Sequence, residues 1–472
     1  MRILSRLSRG KLSPGTWLRR GLSVLPPRVR PTASEARPGA RGALAIVAAL
    51  VALVGCGRKS TGQGSSPPPA GPEAVTSAAA SAAPPTTDAG AGQDASAPPA
   101  QAGGGAEASA SSAPPVTEFR SLRTQKECKV QAMEAAVYQP RADLALAGQK
   151  SGVGVSWMVR LANKREDQVA FSSYNASGKA VSRARGVGLS EGASRVFGTG
   201  TGWVVTWFDS GGLAYARPQP NPVPPPEIVH LGAIGSEIQA DVAVAAMNGA
   251  MVAAAPYGEE KRQLGIFVFA PEDPSAPSLK AIGVTHYASK PSHPAVAADA
   301  TGTFITWQEA DGHLAASHFD PAGKETGSAC VVAPASPQKR DRFALVTTTS
   351  GALALWSEES SIKARALDKV GCPVSPIWSV SEGRWATMTP FAGGAVVAWV
   401  GGEGRLFAAK LSADGAPPGH GVEVAEGSLP VKDAPAVATV GSKVAIGWAE
   451  QMDTTISSKR ILVRLLGGDC FN

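Results

Sequence analysis

The chain has 472 residues, a formal net charge of +7 and a mean hydropathy of -0.02. This length exceeds what one compact core usually supports, so repeats, disordered segments or several domains are expected. Residues 1 to 56 carry nine arginines and one lysine against one glutamate, a net charge of +9, and residues 57 to 118 carry a net charge of -3, so residues 119 to 472 carry +1. A nearly neutral folded portion lacks the basic surface that nucleic acid requires, so no nucleic-acid partner is expected.

The first recognisable element is a run of fourteen apolar residues, Gly42 to Gly55, which ends directly before Cys56. Arg37 and Arg41 provide a positive flank on its N-terminal side. The run is short for a membrane-spanning helix and typical of the apolar region of a secretory signal. An open alternative is a short anchor helix that ends in a cysteine by chance.

Leu53-Val54-Gly55-Cys56 resembles the lipobox of bacterial lipoproteins. The resemblance implies that residues 1 to 55 are a removed leader and signal peptide. It also implies that Cys56 carries a lipid such as palmitate and attaches the protein to the membrane of the cell envelope. Gly57 stands where an aspartate would retain such a lipoprotein in the inner membrane, which favours the outer membrane.

Residues 56 to 118 follow the apolar run and consist mainly of Ala, Pro, Ser, Gly and Thr. Such a segment buries too little apolar surface to offset its conformational entropy. We therefore predict a disordered linker over residues 56–118 and a folded domain over residues 119–472.

Repeated apolar runs organise the folded domain. Six of them end in a tryptophan: Trp157, Trp207, Trp307, Trp356, Trp399 and Trp448. In five of the six, a glycine lies five residues before the tryptophan, in a short turn. Between the second and third tryptophans a related run places Ala254 at the tryptophan position, so seven units follow one another at intervals of 43 to 53 residues.

The unit from Pro294 to Gly327 predicts strands over Pro294–Asp299, Phe304–Glu309 and His313–Asp320. These strands are apolar on both faces, which indicates sheets that are covered on both sides. Four-stranded sheets at such a spacing are typical of propeller blades. The sequence therefore predicts an all-β, seven-bladed β-propeller in which the tryptophans fill the contacts between blades.

The seventh unit has only three strands before the sequence ends. We predict that a strand within Phe119–Met133 completes it as the outermost strand. Cys128 in this segment would then form a disulfide with Cys470, as an oxidising envelope compartment permits. Cys330 and Cys372 are expected on outer strands of adjacent blades, and whether they pair is left open.

The repeated phrases Pro-Ala-Val-Ala, Trp-x-acid and Asp-Gly resemble the repeats of secreted bacterial β-propeller proteins. Many members of that group are lipoproteins, and the group has no assigned function. The resemblance implies the same fold over residues 119 to 472 and indicates nothing about activity.

Acidic residues follow four of the tryptophans by two positions: Asp209, Glu309, Glu358 and Glu450. Because side chains alternate along a strand, each acid lies on the same side as its tryptophan, near one rim of the ring. Together they would bind a cation or a basic ligand. The alternative is that each one pairs with a neighbouring basic side chain or caps its own turn.

Two further patterns give weaker indications. Ser190 lies in a Gly-x-Ser-x-Gly sequence, but no helix follows it, as a nucleophile elbow would require. His313 and His318 are five residues apart on one strand and point to opposite faces, so they do not share a metal ion. No catalytic residue, cofactor or metal site is predicted.

These features favour a lipid-anchored envelope protein that acts as a non-catalytic binding or scaffold module. Its expected partners are the membrane, through the N-terminal lipid, and envelope proteins or glycans. The alternative is a carbohydrate-active propeller enzyme, sialidase-like or lyase-like. Against this alternative, the sequence has no Ser-x-Asp-x-Gly-x-Thr-Trp box and only five tyrosines.

Overall fold

The computed structural model describes most of the sequence after residue 114. The described residues are 115–122, 128, 130–138, 140–160, 167–190, 192–210, 212–219, 225–231, 242–247, 249–257, 263–272, 280–284, 291–425, 429–451 and 459–471. The predicted leader, Cys56 and most of the predicted linker lie outside them. Within the described residues, no helix is both long and apolar enough to span a bilayer.

The described residues form 29 strands and two short 3-10 turns, Gly402–Gly404 and Gly468–Phe471. The N-terminal strands are β1 (Glu118–Ser121) and β2 (Val130–Tyr138). Blade one contains β3 (Pro140–Gln149), β4 (Gly152–Arg160), β5 (Asp167–Asn175) and β6 (Ala180–Ser190). Blade two contains β7 (Arg195–Gly198), β8 (Trp203–Asp209), β9 (Gly212–Ala216) and β10 (Ile228–His230).

The remaining blades follow in sequence order. Blade three contains β11 (Ala243–Met247), β12 (Ala250–Tyr257), β13 (Gln263–Phe269) and β14 (Lys280–Val284). Blade four contains β15 (Ser292–Asp299), β16 (Gly302–Gln308), β17 (Leu314–Phe319) and β18 (Cys330–Ala333). Blade five contains β19 (Arg340–Thr348), β20 (Gly351–Glu358), β21 (Ser361–Leu367) and β22 (Trp378–Glu382). Blade six contains β23 (Arg384–Phe391), β24 (Gly394–Val400), β25 (Leu406–Leu411) and β26 (His420–Glu423), and blade seven contains β27 (Ala436–Val440), β28 (Lys443–Gln451) and β29 (Lys459–Gly467).

The seven sheets surround a common axis. In blades one to six, consecutive strands pair antiparallel, from the first strand at the axis to the fourth at the outside. Each first strand contacts the first strand of the next blade, and β27 of blade seven contacts β3 of blade one. The predicted seven-bladed β-propeller is therefore confirmed.

Strand β2 closes the ring. It pairs antiparallel with β29, from Val130 opposite Leu466 to Tyr138 opposite Lys459, and so supplies the outermost strand of blade seven. The prediction that an N-terminal strand completes the last blade is confirmed. The strand begins late in the expected segment and continues five residues beyond its end at Met133.

The first part of the segment expected to close the ring pairs elsewhere. Strand β1 runs parallel to β26 and adds a fifth strand to blade six. Just before it, the buried Val116 donates its backbone N–H to the Val380 carbonyl at 2.7 Å. The ring of Phe119 lies 4.0 Å from that of Phe407, measured between centroids. The N-terminal segment therefore crosses blades five and six before it closes blade seven.

The tryptophans fill the contacts between blades, as predicted. All six are at most 1% exposed. Each packs against the preceding blade, as Trp356 does against Phe304 of blade four. Trp157 of blade one packs against Val440 and Ile461 of blade seven, so the same contact is present where the ring closes.

Blade three departs from this pattern. Ala250 pairs with Met247 in the way that Gly302 pairs with Asp299, so the tryptophan position is occupied by Ala255 rather than the expected Ala254. Ala254 points instead toward Trp307 of blade four. The space beside Ala255 is filled by aromatic side chains, which include Phe267, Phe269 and Tyr215.

In blades one, four, five and six, the glycine before the tryptophan run has a steric cause beyond the turn itself. Gly302 has φ 144° and Gly351 has φ 149°, values that L side chains rarely adopt. A Cβ atom at either position would also collide with a carbonyl oxygen of the third strand, that of Phe319 or Leu367. Glycine is therefore required where the first hairpin approaches the third strand.

Two disulfides are present. Cys128 and Cys470, with Cα atoms 4.6 Å apart, join the segment before β2 to the C-terminal 3-10 turn. Cys330 and Cys372, with Cα atoms 5.1 Å apart, join blades four and five. Cys372 does not begin an outer strand as expected, because Asp368 binds its N–H in a turn and the outer strand begins only at Trp378.

Candidate functional site

Two of the rim carboxylates accept a hydrogen bond from their own tryptophan. The indole Nε1 of Trp307 donates to Glu309 Oε1 at 2.6 Å, and that of Trp448 donates to Glu450 Oε1 at 3.1 Å. Both carboxylates are buried. Glu450 also accepts from Arg460 Nη2 at 2.8 Å. These contacts satisfy buried polar groups within single blades.

The other two acids bind basic groups. Glu358 Oε1 lies 3.2 Å from Arg340 Nη2, and both side chains are largely buried. Arg340 Nη1 also donates to the Gly312 carbonyl of blade four at 2.9 Å, so this ion pair links two blades. Asp209 Oδ2 lies 3.5 Å from Nδ1 of His230 in the same blade.

Each rim acid thus contacts a polar or basic group of the blade to which it belongs. In the part of the chain that it describes, no three His, Cys, Asp or Glu side chains lie close enough to hold a metal ion. The contacts correspond to the alternative in which each acid pairs within its repeat. A cation or basic ligand at the rim stays a prediction.

Ser190 and His318 have structural surroundings. Ser190 Oγ lies 2.7 Å from the carbonyl oxygens of both Gly192 and Phe208, at the end of β6. His318 is buried, its ring centroid is 4.3 Å from that of Phe304, and its Nδ1 lies 3.0 Å from Thr326 Oγ1. Burial lowers the pKa of His318, and the charges of Asp299 and Asp320 oppose this shift only in part.

A different feature recurs at the axis. In blades four, five and six the first strand contains a bulge, where two of its residues face a single residue of the second strand. In each case that single residue is the blade's tryptophan: Trp307, Trp356 or Trp399. The bulge thus recurs in three consecutive blades, at the position where the tryptophan fills the contact between blades.

The first bulged residue has a left-handed backbone in all three blades. These residues are His293 (φ 51°), Arg342 (φ 51°) and Trp385 (φ 58°). Because they occupy equivalent positions, they lie around the same end of the axis, which we call the bulged mouth. We call the opposite end, with the glycine-led hairpins, the hairpin face.

The side chains at the bulged mouth are large and accessible. His293 and Arg342 are exposed, and Trp385 is half-buried. The His293 ring stacks on Phe343 at 5.9 Å, and the Arg384 guanidinium lies 4.1 Å above the Trp385 ring. Arg342 forms no side-chain hydrogen bond or ion pair with any residue that the structure describes. This end of the ring therefore presents aromatic and cationic groups together.

Three cavities lie along or beside the axis. One of about 240 Å³ at the bulged mouth includes Arg195 and Arg342 in its lining. A second, of about 390 Å³, is lined by the first strands of all seven blades. The third is an open cleft of about 930 Å³ on the hairpin face beside blades five to seven, where Lys410, Lys443 and Asp469 mix both charges.

Sequence reasoning missed the bulged mouth. The first strand of blade four was predicted to begin at Pro294, whereas it begins at Ser292 and includes His293. The available signal was positional, since each bulged residue lies six positions before the end of its first strand. His, Arg and Trp share no chemical property that would have marked that position.

Comparisons with known proteins return structures of low similarity. No family model matches the chain, and no curated protein matches it. The Dos1 propeller aligns with 9% identity and a TM-score of 0.42, over 71% of this chain and 95% of that one. The SapL1 lectin in complex with alpha methyl fucoside aligns with 11% identity and a TM-score of 0.36, over 60% and 98% of the two chains. A GH43_1 enzyme from Xanthomonas citri aligns with 13% identity and a TM-score of 0.28, over 47% and 86%. These similarities carry no argument about ligand or activity, and the propeller architecture follows from the strand pairing.

Proposed function

We propose that this protein is a lipid-anchored protein of the cell envelope whose propeller binds a partner, without catalysis, at the bulged mouth. The main observation behind this proposal is that His293, Arg342 and Trp385, at equivalent positions of three blades, have a left-handed backbone. A non-glycine residue in this conformation costs about 1–2 kcal/mol. Glycine would adopt it without that cost.

Glycine at these positions would relieve the backbone strain but would also remove the side chain. Large side chains in a strained conformation are therefore explained if they contact a binding partner. A bulge turns a side chain away from the regular alternation of its strand and fixes its direction. At the bulged mouth this presents an imidazole, a guanidinium and an indole on rigid inner strands. Aromatic and arginine side chains on a rigid support are the groups that most often dominate binding energy at interfaces.

The membrane part of the proposal depends on the sequence alone. The apolar run, its basic flank and Cys56 stand in the order expected of a lipoprotein signal. The composition of residues 56–118 is that of a flexible tether. A lipid on Cys56 would therefore keep the propeller near the membrane while its mouth remained accessible.

The test is affinity purification of the full-length protein from detergent-solubilised envelope. We expect wild type to fractionate with membranes and to retain a stoichiometric partner, and Cys56→Ala to leave the membrane fraction. We expect Arg342→Gly to lose the partner although its unfolding midpoint stays at or above that of wild type, because glycine relieves the backbone strain.

The matched control is Ala392→Gly, which relieves a left-handed residue (φ 46°) in a hairpin on the opposite face. It should retain the partner. The binding proposal fails if Arg342→Gly and His293→Gly both retain the wild-type partner. It also fails if no partner is retained by wild type. The alternative of a carbohydrate-active enzyme stays a prediction.

A further inference from the structure

We infer that the outer edge of blades five and six is a binding groove for an extended peptide segment of a partner protein. In the structure this groove is occupied by residues 116–122 of the chain itself, which we call the strap. The partner segment takes the place of the strap, with an extended backbone and apolar side chains at every third position. The groove lies on the outside of the ring, so the inference goes beyond the bulged mouth and does not depend on it.

The strap contacts the groove through its main chain, as a peptide that is added to the edge of a sheet does. Strand β1 pairs parallel with β26 over all four of its residues. Before β1, the Val116 N–H donates to the Val380 carbonyl at 2.7 Å, and the Val116 carbonyl accepts from Ser381 Oγ at 3.2 Å. Main-chain contacts depend little on sequence, so another extended segment can form them.

Three apolar side chains of the strap enter the groove at intervals of three residues. Val116 and Leu122 are buried. The Phe119 ring lies between them, with its centroid 4.0 Å from that of Phe407 and 6.0 Å from that of Trp399. The other side chains of the strap are largely exposed. The spacing Val-x-x-Phe-x-x-Leu therefore describes the segment that the groove selects.

A glycine of β26 leaves room for two of these three side chains. Gly421 lies opposite Phe119 in the register of the two strands. A Cβ atom at Gly421 would lie 3.2 Å from Phe119 Cδ1 and 3.2 Å from Val116 Cγ1. It would also lie 2.9 Å from the Ala408 carbonyl oxygen on the neighbouring strand. The surface of β26 is thus open at the place where Val116 and Phe119 meet it.

The strap can leave its groove without opening the ring. Among the described strands, β1 is the only one outside the covalent loop that the Cys128–Cys470 disulfide closes. The closing strand β2 lies inside that loop and pairs with β29 from Val130 to Tyr138. A short strand at the edge of a fold opens more easily than its core. Release of the strap therefore exposes the groove while the disulfide keeps blade seven complete.

The test is fluorescence anisotropy of a labelled synthetic peptide of residues 115–122 with the full-length protein. An attached strap has an effective concentration on the order of millimolar, so wild type should bind the free peptide weakly. Val116→Ser combined with Phe119→Ser weakens the strap, and we expect this strap variant to bind the peptide at least tenfold more tightly. Gly421→Val, which fills the space beside the Phe119 ring, should remove this gain when it is added to the strap variant.

Two controls separate the groove from non-specific binding. A peptide with serine at the Val116 and Phe119 positions should not bind the strap variant. Val331→Ser combined with Val374→Ser removes two exposed valines of blades four and five and leaves the strap in place. This control protein should bind the peptide as weakly as wild type. The inference is overturned if the strap variant binds no more tightly than wild type, or if it binds the serine peptide equally well.

Hydrogen–deuterium exchange of wild type tests displacement without any substitution in the protein. We expect an excess of isotope-labelled peptide to speed up exchange of the protein's own strap amides. The amides of β26 should stay protected, because the peptide replaces the strap as their neighbour. Strap amides that keep their protection would show a permanent fifth strand and overturn the inference. A wild-type dimer that the strap variant cannot form, detected by light scattering, would assign the groove to a second copy and overturn the partner protein.

Discussion

Blades four and five carry the same motif, a tryptophan followed two residues later by a glutamate, yet the two glutamates have different partners. In blade four, Glu309 accepts the indole N–H of Trp307. In blade five, Glu358 binds Arg340, and the buried Nε1 of Trp356 has no hydrogen-bond partner among the described residues. The motif thus determines the position of the glutamate on its strand but not the group that its carboxylate binds.

The residue across the sheet decides the difference. Arg340 pairs with Glu358 in the register of β19 and β20. The equivalent position in blade four, opposite Glu309, is Pro291, which offers no donor. Without a cation opposite, the carboxylate turns to the indole on its own strand. In blades four and five the partner of the rim acid therefore depends on the residue opposite it on the first strand, whereas Glu450 and Asp209 bind groups on the third and fourth strands of their blades.

The largest expected effect is the loss of the Glu358 charge. In Glu358→Gln, the buried Arg340 loses its counter-charge, which should lower the free energy of unfolding by about 3 kcal/mol. In Glu309→Gln, the amide oxygen still accepts from Trp307, so we expect a loss of about 1 kcal/mol. Guanidinium unfolding followed by tryptophan fluorescence measures both values.

A double variant sharpens this test. Arg340→Met combined with Glu358→Gln removes the unpaired cation and should recover part of the stability lost in Glu358→Gln alone. Equal losses in Glu358→Gln and Glu309→Gln would show that the two carboxylates have equivalent roles, contrary to the contacts.

The second effect concerns the two tryptophans. Replacement of tryptophan by phenylalanine removes the same side-chain volume in both blades. Trp307→Phe and Trp356→Phe should therefore lose similar amounts of packing energy, and this loss largely cancels when their stabilities are compared. Only Trp307→Phe also removes the donor to a buried carboxylate. We expect it to be less stable than Trp356→Phe by about 2 kcal/mol. A difference near zero in the same unfolding measurement would contradict the hydrogen bond to Glu309.

Much of the fold could be predicted because the sequence pattern that produces each blade is repeated along the chain. A tryptophan run recurs at six of the seven contacts between blades, and a related apolar run marks the remaining one, so their spacing predicted the number of blades. The incomplete seventh unit likewise reported the closing strand, since a missing outer strand leaves a sheet edge that must be covered. Strand β1 left no such trace, because a four-residue parallel strand with polar residues has no periodic pattern of its own.

The candidate site could not be predicted in the same way. A bulge changes the register by one residue, and neither Arg342 nor His293 differs from an ordinary surface residue in the sequence. Their importance depends on backbone angles and on the opposite tryptophan, which are known only once the strands are paired. The rim acids were visible in the sequence, but their partners depend on the same register.

The smallest expected effect is a pH dependence of stability that blade four contributes and blade five does not. The buried His318 on β17 of blade four is replaced in blade five by Ala366, since the two face Phe304 and Leu353 respectively. Burial lowers the pKa of His318 below the ordinary value of 6.5. The unfolded protein therefore takes up a proton first as the pH falls below about 6.5, and the folded state loses stability over that range.

Removal of this imidazole should flatten the pH dependence. We expect the unfolding midpoint of wild type to fall more between pH 7 and pH 5 than that of His318→Gln, which cannot gain a charge there. The control His313→Gln changes a more exposed histidine in the same blade, keeps His318, and should retain the wild-type dependence. Parallel curves for wild type and His318→Gln would mean that His318 is protonated as readily in the folded protein as in the unfolded one. Blade four would then resemble blade five in its response to acid, and their difference would be confined to the rim.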